Sequence, residues 1–152
     1  MRVRFGRISD SRIAIECFGD GGKSGAITLK YFDKTLNLLN KIDKNANNLD
    51  INLTKEILSN LLNTKGIKLP MASTILRFKN PFIYQIIDQR VYRYIYGEKI
   101  KHSTKIETEI EKYLNYLNKL REVSEQMKIP FNEADRILYI LDKEENKNIK
   151  LQ

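Results

Sequence analysis

The sequence predicts a mostly α-helical fold: a helical domain around two helices joined by a tight hairpin, with a small N-terminal β element. Three observations predict it. Apolar residues recur at helical spacing in successive segments between residues 29 and 141. Strict alternation is confined to the first eighteen residues. Glycine and proline fall between the periodic segments or at their ends rather than inside them.

In chain order, Arg2-Val3-Arg4-Phe5 alternates, Ser9-Asp10-Ser11 is turn-like, and Ile13 to Phe18 is a second short strand, together a small hairpin. Gly19 to Gly25 is a loop. Ala26 to about Ile42 reads as a helix whose stripe is Leu29, Phe32, Leu36, Leu39 and Ile42. Asn45-Ala46-Asn47-Asn48 is a break, dividing residues 1–45 from 46–152 within one compact domain. Thr54 to Asn63 is the next helix, with Ile57, Leu58, Leu61 and Leu62 apolar, and Gly66 ends it. Pro70 opens a helix carrying Met71, Ala72, Ile75, Leu76 and Phe78, and Asn80-Pro81 stops it. The apolar connector Phe82–Ile87 leads to Asp88, placed to cap a helix over Gln89–Tyr96 that ends at Gly97. Thr104 and Glu107 form a capping-box pattern before a long helix reaching Met127, with Ile106, Ile110, Tyr113, Leu117 and Leu120 on its stripe. Pro130 breaks it. Asn132 with Asp135 suggests a cap for a final helix bearing Ile137, Leu138 and Leu141, before a charged tail from Lys143.

Composition narrows the function. The chain has 152 residues, 41% of them hydrophobic and 30% charged, enough for one modest core. Its formal net charge is +8, and the charge is concentrated. Between Lys65 and Lys105 lie nine cations (Lys65, Lys68, Arg77, Lys79, Arg90, Arg93, Lys99, Lys101, Lys105) against only Asp88 and Glu98, a local +7. Such a field suits a phosphate backbone, where neutralised charges release counterions. The lone Cys17 excludes an internal disulfide and a four-thiolate metal or iron–sulfur site within one chain. Neither a signal peptide nor a membrane-length apolar run is present, so an intracellular, cytoplasmic protein is expected, nucleoid-associated if it binds DNA.

The stretch Leu61 to Leu76 is a helix, a short turn bracketed by Gly66 and Pro70, and a second helix. A turn of this kind directs backbone N–H groups outward at a helix N-terminus, where they hold a phosphate without reading sequence. The pattern resembles the helix-hairpin-helix of the base-excision DNA glycosylase superfamily. There a Gly–hydrophobic–Gly turn precedes a small-residue helix and then an aspartate in a V/I-D-x-x-V-x-R context. This chain has Gly66-Ile67-Lys68, Ala72, and Ile87-Asp88-Gln89-Arg90-Val91-Tyr92-Arg93. The family's lyase members carry a Schiff-base lysine two residues after the second turn glycine. That position is Pro70, eighteen residues before Asp88 as in the family. The resemblance covers about 45 residues, 54–97. It departs at Lys68, which replaces the second turn glycine, at Pro70, which has no amine, and in the short region before the hairpin.

The resemblance implies a DNA-binding protein with at most monofunctional N-glycosylase activity on damaged or modified bases. Asp88 would be the catalytic carboxylate, stabilising oxocarbenium character at C1′ or orienting water. Duplex DNA would be the partner, held by Lys65, Gly66, Ile67, Lys68, Leu69, Arg77, Lys79, Arg90 and Arg93. No metal or other cofactor and no membrane is called for. Tyr84, Tyr92, Tyr94 and Tyr96 are candidate stacking surfaces for an extruded base. Two alternatives stay open: a non-catalytic helix-hairpin-helix DNA-binding module, and a protein–protein adaptor with a basic face. Asp88 as nothing more than an N-cap is the plain reading beside the catalytic one. The Gly19–Gly25 loop contains Gly-Lys-Ser, but a phosphate loop G-x-x-x-x-G-K-S needs glycine at position 17, where Cys17 stands.

Overall fold

The computed structural model describes residues 29–147, with side chains from residue 33. It is mostly helical: α1 (Leu29–Asn40), α2 (Ile51–Asn63), α3 (Leu69–Lys79), α4 (Gln89–Tyr96), α5 (Ile106–Met127), a 3-10 turn (Phe131–Glu133) and α6 (Ala134–Glu145), with no strand among the described residues. The expected β-hairpin at 2–18 and the Gly19–Gly25 loop lie outside them. One apolar cluster runs from Leu38 on α1 through Ile57, Leu58, Leu76, Ile87, Val91, Tyr113 and Leu120 to Leu138 on α6. No helix among the described residues is long and apolar enough to cross a membrane.

Local chemistry explains most boundaries. Asp50 caps α2 by accepting the Leu53 N–H at 2.9 Å, so this helix starts three residues before the expected Thr54. Thr54 is instead buried inside α2. Its hydroxyl donates to the Asp50 carbonyl at 2.6 Å, which leaves Tyr84 Oη (2.8 Å away) to donate to Thr54 Oγ1. α1 buries Thr35, Leu38 and Leu39, and Ile42 is buried just beyond its end, while Leu36 is exposed. The expected face through Leu36 is therefore rotated: adjacent Leu38 and Leu39 give a wider apolar arc. In α3, Leu69, Ala72, Ser73 and Leu76 face inward, whereas Met71 and Phe78, read as apolar-face residues, are 54% and 81% exposed.

α5 begins without the expected capping box. Thr104 and Glu107 are exposed, and Ser103 Oγ accepts the Lys105 N–H at 3.1 Å instead. It ends at Met127, with Lys128 at φ 56 in the left-handed region and the Ile129 N–H returning to the Ser124 carbonyl. Pro130 then prevents resumption. Asn132 does not cap α6; the 3-10 turn precedes it and Asp135 points inward. The Asn45–Asn48 break is stitched to the body by buried Asn80. Its Nδ2 donates to the Asp43 and Ala46 carbonyls at 2.8 and 2.9 Å, and its Oδ1 accepts the Phe82 N–H at 2.9 Å.

Candidate nucleic-acid interface

α2 and α3 are joined by residues 64–68. Thr64 N–H returns to the Leu61 carbonyl, Ile67 N–H to the Thr64 carbonyl, and Gly66 sits at φ 90. Lys65, Gly66 and Lys68 are exposed and Ile67 is half-buried. Leu69 is only 1% exposed. Its side chain anchors the turn in the core, at the first residue of α3. A Cβ added at Gly66 would meet nothing within 4 Å, so a side chain there is opposed by φ alone. Gly66→Val is expected to cost about 1–3 kcal/mol, measured by chemical denaturation. An unchanged midpoint would show that the turn relaxes.

The connector 82–87 lies between helices yet is mostly buried, so its backbone polar groups need partners. Asn80 serves the N–H groups of Phe82, Ile83 and Tyr84 locally, and side chains from three helices serve residues 85–87. Ser73 Oγ on α3 accepts the Ile87 N–H at 3.2 Å. Tyr113 and Tyr116 on α5 donate their hydroxyls to the carbonyls of Gln85 (2.9 Å) and Ile86 (2.7 Å). Asp135 Oδ2 on α6 accepts the Ile86 N–H at 3.2 Å. Burial pushes the Tyr113 and Tyr116 phenols well above their ordinary value, so both remain donors at any working pH.

This clamp fixes the residue that follows it. Asp88 is half-buried at the N-terminus of α4, where Oδ1 accepts the Arg90 N–H at 2.7 Å. Its other oxygen has no protein partner among the described residues. Asp88 borders a groove of about 300 Å³ between α4 and α6, with Val91 on its own side and Asp135, Tyr139 and Ile140 opposite. Tyr139 and Ile140 also line a neighbouring cleft of about 480 Å³ with Arg90, Lys143 and Asn146.

The basic window divides into two groups. Arg93 Nε and Nη2 grip Asp142 Oδ1 and Oδ2 at 2.9 and 2.6 Å, and Arg90 Nη1 lies 3.4 Å from the same carboxylate. Arg90 also stands 5.5 Å over the Tyr139 ring. Arg93 holds the fully buried Asp142 carboxyl below its usual value, against the opposing effect of burial. Arg77 Nη2 donates to the Asn132 carbonyl at 3.0 Å. Its Nε lies 2.9 Å from Asp135 Oδ2 but off the N–H line, so that contact is an ion pair rather than a hydrogen bond. Arg77 and Arg93 are thus spent on holding α3 and α4 to α6. Lys79 reaches Asn40 on α1 at 2.9 Å, and Lys101 pairs with Glu98 at 3.3 Å. Lys65, Lys68, Lys99 and Lys105 are exposed, and their ammonium groups have no partner among the described residues.

Of the tyrosines, Tyr84 is core. Tyr92 and Tyr96 pack on each other with ring centroids 4.4 Å apart, and Tyr94 is half-buried. The aromatic at the groove is Tyr139, which sequence reasoning passed over. It read Asp135 only as part of a cap and passed over Asp142, although their spacing with Leu138 carried a signal: positions 135, 138 and 142 share one helix face, so two acids ride on a buried stripe. Comparison of the chain with protein-family models, with curated proteins and with solved structures finds no match.

Proposed function

We propose that this chain binds duplex DNA in the manner of the helix-hairpin-helix glycosylases and acts as a monofunctional N-glycosylase. The observation that carries the reading is the position of Asp88. Its carboxylate stands at a helix N-terminus and opens onto a groove. It is also held rigidly to the hairpin helix α3 through the Ile87–Ser73 bond. In the proposed reaction, water adds its oxygen to C1′ of an extruded nucleotide. The C1′–N bond breaks with its electron pair leaving on the base, which takes up a proton, and the water proton passes to Asp88 or solvent. Asp88 stabilises the positive charge that develops on the sugar. Pro70 supplies no amine, so strand cleavage does not follow.

DNA affinity itself is tested by fluorescence anisotropy across a salt series. With the arginines engaged internally, the free lysines Lys65, Lys68, Lys99 and Lys105 set the expected slope of log K against log salt at about −4. A flat response, or no binding at low salt, rejects the DNA reading. It would favour the adaptor, for which the exposed Phe78, Phe82 and Met71 side chains offer apolar contact.

A further inference from the structure

We infer that the cleft between α4 and α6 beside Arg90 binds a dianionic phosphate group. This cleft, of about 480 Å³, lies next to the Asp88 groove, and its ligand is independent of the DNA reading. Two guanidiniums converge there on one carboxylate, Asp142. Arg93 occupies both of its oxygens at 2.9 and 2.6 Å, and Asn146 Nδ2 adds a donor at 3.0 Å. Arg90 is left with a single long contact to it, from Nη1 at 3.4 Å. Its Nε and Nη2 have no partner among the described residues and are accessible, on a side chain that is 24% exposed. The Arg90 Cζ lies 5.5 Å from the Tyr139 ring centroid, a contact that steadies the fork at the cleft. Lys143 and Lys147 also line the cleft, exposed and without a partner among the described residues. With Glu144 as the one acid of the lining, these three cations leave the cleft at +2. The C-terminus of α6 opposes an anion by only about half a charge, so the cations prevail. A phosphomonoester brings about −2 at neutral pH, against −1 for a carboxylate, and its oxygens accept two parallel N–H bonds from a guanidinium fork. Exposed Tyr139 and Ile140 offer apolar footing for the rest of a ligand.

The test titrates the full chain with inorganic phosphate, followed by NMR, with acetate at matched ionic strength as the reference. Phosphate is expected to shift the signals of Arg90, Tyr139 and Lys143 along one saturating curve, about tenfold tighter than acetate. Arg90→Gln should weaken phosphate by about tenfold, and Arg90→Lys should recover part of the loss by returning the charge without the fork. Lys55→Gln, exposed on α2, should leave the curve unchanged. Thermal melting checks folding; if Arg90→Gln is unfolded, Lys143→Gln with Lys147→Gln, both at exposed positions, takes its place. Two further arms find the source of the phosphate: adenosine monophosphate, and a short duplex with and without 5′-phosphates. Tighter binding of the nucleotide than of inorganic phosphate assigns a free nucleotide, and a gain confined to the 5′-phosphorylated duplex assigns a strand end. Inorganic phosphate bound as tightly as either assigns the free anion, and all three results uphold the site. Equal binding of phosphate and acetate, shifts that do not saturate, or a loss in Lys55→Gln equal to that in Arg90→Gln overturns it. A folded Arg90→Gln that binds phosphate like wild type does so too. Failure of both duplexes to bind overturns the DNA reading alone, because the phosphate and nucleotide arms contain no DNA.

Discussion

Asp142→Ala is expected to destabilise the protein by about 3–5 kcal/mol, the usual cost of stranding a buried charge. On a chain of this size that lowers the melting temperature by on the order of 10 °C. The carboxylate is fully buried and receives Arg93 through two hydrogen bonds, Arg90 at 3.4 Å and Asn146 Nδ2 at 3.0 Å. Its loss leaves the Arg93 guanidinium, itself 10% exposed, without a counter-ion at the seam between α4 and α6. Replacing the pair together, Asp142→Leu with Arg93→Met, should recover much of the loss, because no uncompensated charge then remains. Acid has the same target. Arg93 holds the folded Asp142 carboxyl below its usual value, whereas the unfolded chain titrates near 3.9. The contribution is therefore complete above about pH 5 and is lost as pH falls through the folded value. Glu109 adds to this limb. Burial alone would raise its carboxyl, but Lys112, the Ser103 N–H at 2.7 Å and His102 together lower it. Unfolding curves between about pH 3 and pH 6 should accordingly be flatter in Asp142→Ala than in wild type, and retain the Glu109 slope. A variant as stable as wild type, with the same acid limb, would show that α6 is not fastened by this pair.

The second large effect is on chemistry. Asp88→Asn is expected to slow base release by about 10²–10³-fold, the range for removing one group that stabilises transition-state charge. Stability should change by at most about 1 kcal/mol, since asparagine caps as well as aspartate and can still accept the Arg90 N–H. Much of the duplex affinity should survive, because the exposed lysines are untouched. The assay is release from a panel of lesion-bearing duplexes, with alkali added to cut abasic sites. Wild-type inactivity across a broad panel would favour the non-catalytic module. Strand cleavage without alkali would overturn the inference from Pro70 and make Lys68 the first amine to examine.

Elements punctuated by their own residues were legible in the sequence. Asp88 and Gly97 delimit α4 at both ends because an N-cap carboxylate and a left-handed glycine act within a few residues of themselves. The turn after α2 was readable from Gly66 and Pro70 for the same reason. The start of α2 was missed because Asp50 precedes Ile51, a residue more than half exposed that breaks the apolar stripe. The face of α1 was misjudged because two overlapping stripes pass through its leucines. At the candidate site, the position of Asp88 as the N-cap of α4 was legible, but its surroundings were not. Arg77 and Arg93 looked like free cations because their counter-ions, Asp135 and Asp142, lie 58 and 49 residues away in sequence. A charge count in a window cannot see a partner outside it.

The mostly buried connector 82–87 also shapes how the molecule is assembled. The four side chains that fasten the backbone of residues 85–87 lie 14, 28, 30 and 49 residues from the groups they satisfy. A turn at Asn80 orders Phe82, Ile83 and Tyr84 locally, whereas the backbone of residues 85–87 is fastened from afar. Each closure of a long loop costs entropy before any contact offsets it. Residues 85–87 are therefore fully fastened only when α3, α5 and α6 are packed around them, and Asp88 follows directly on that stretch. Partial unfolding that frees any one of the three helices releases Asp88 as well, so the candidate chemistry exists only in the completely assembled chain.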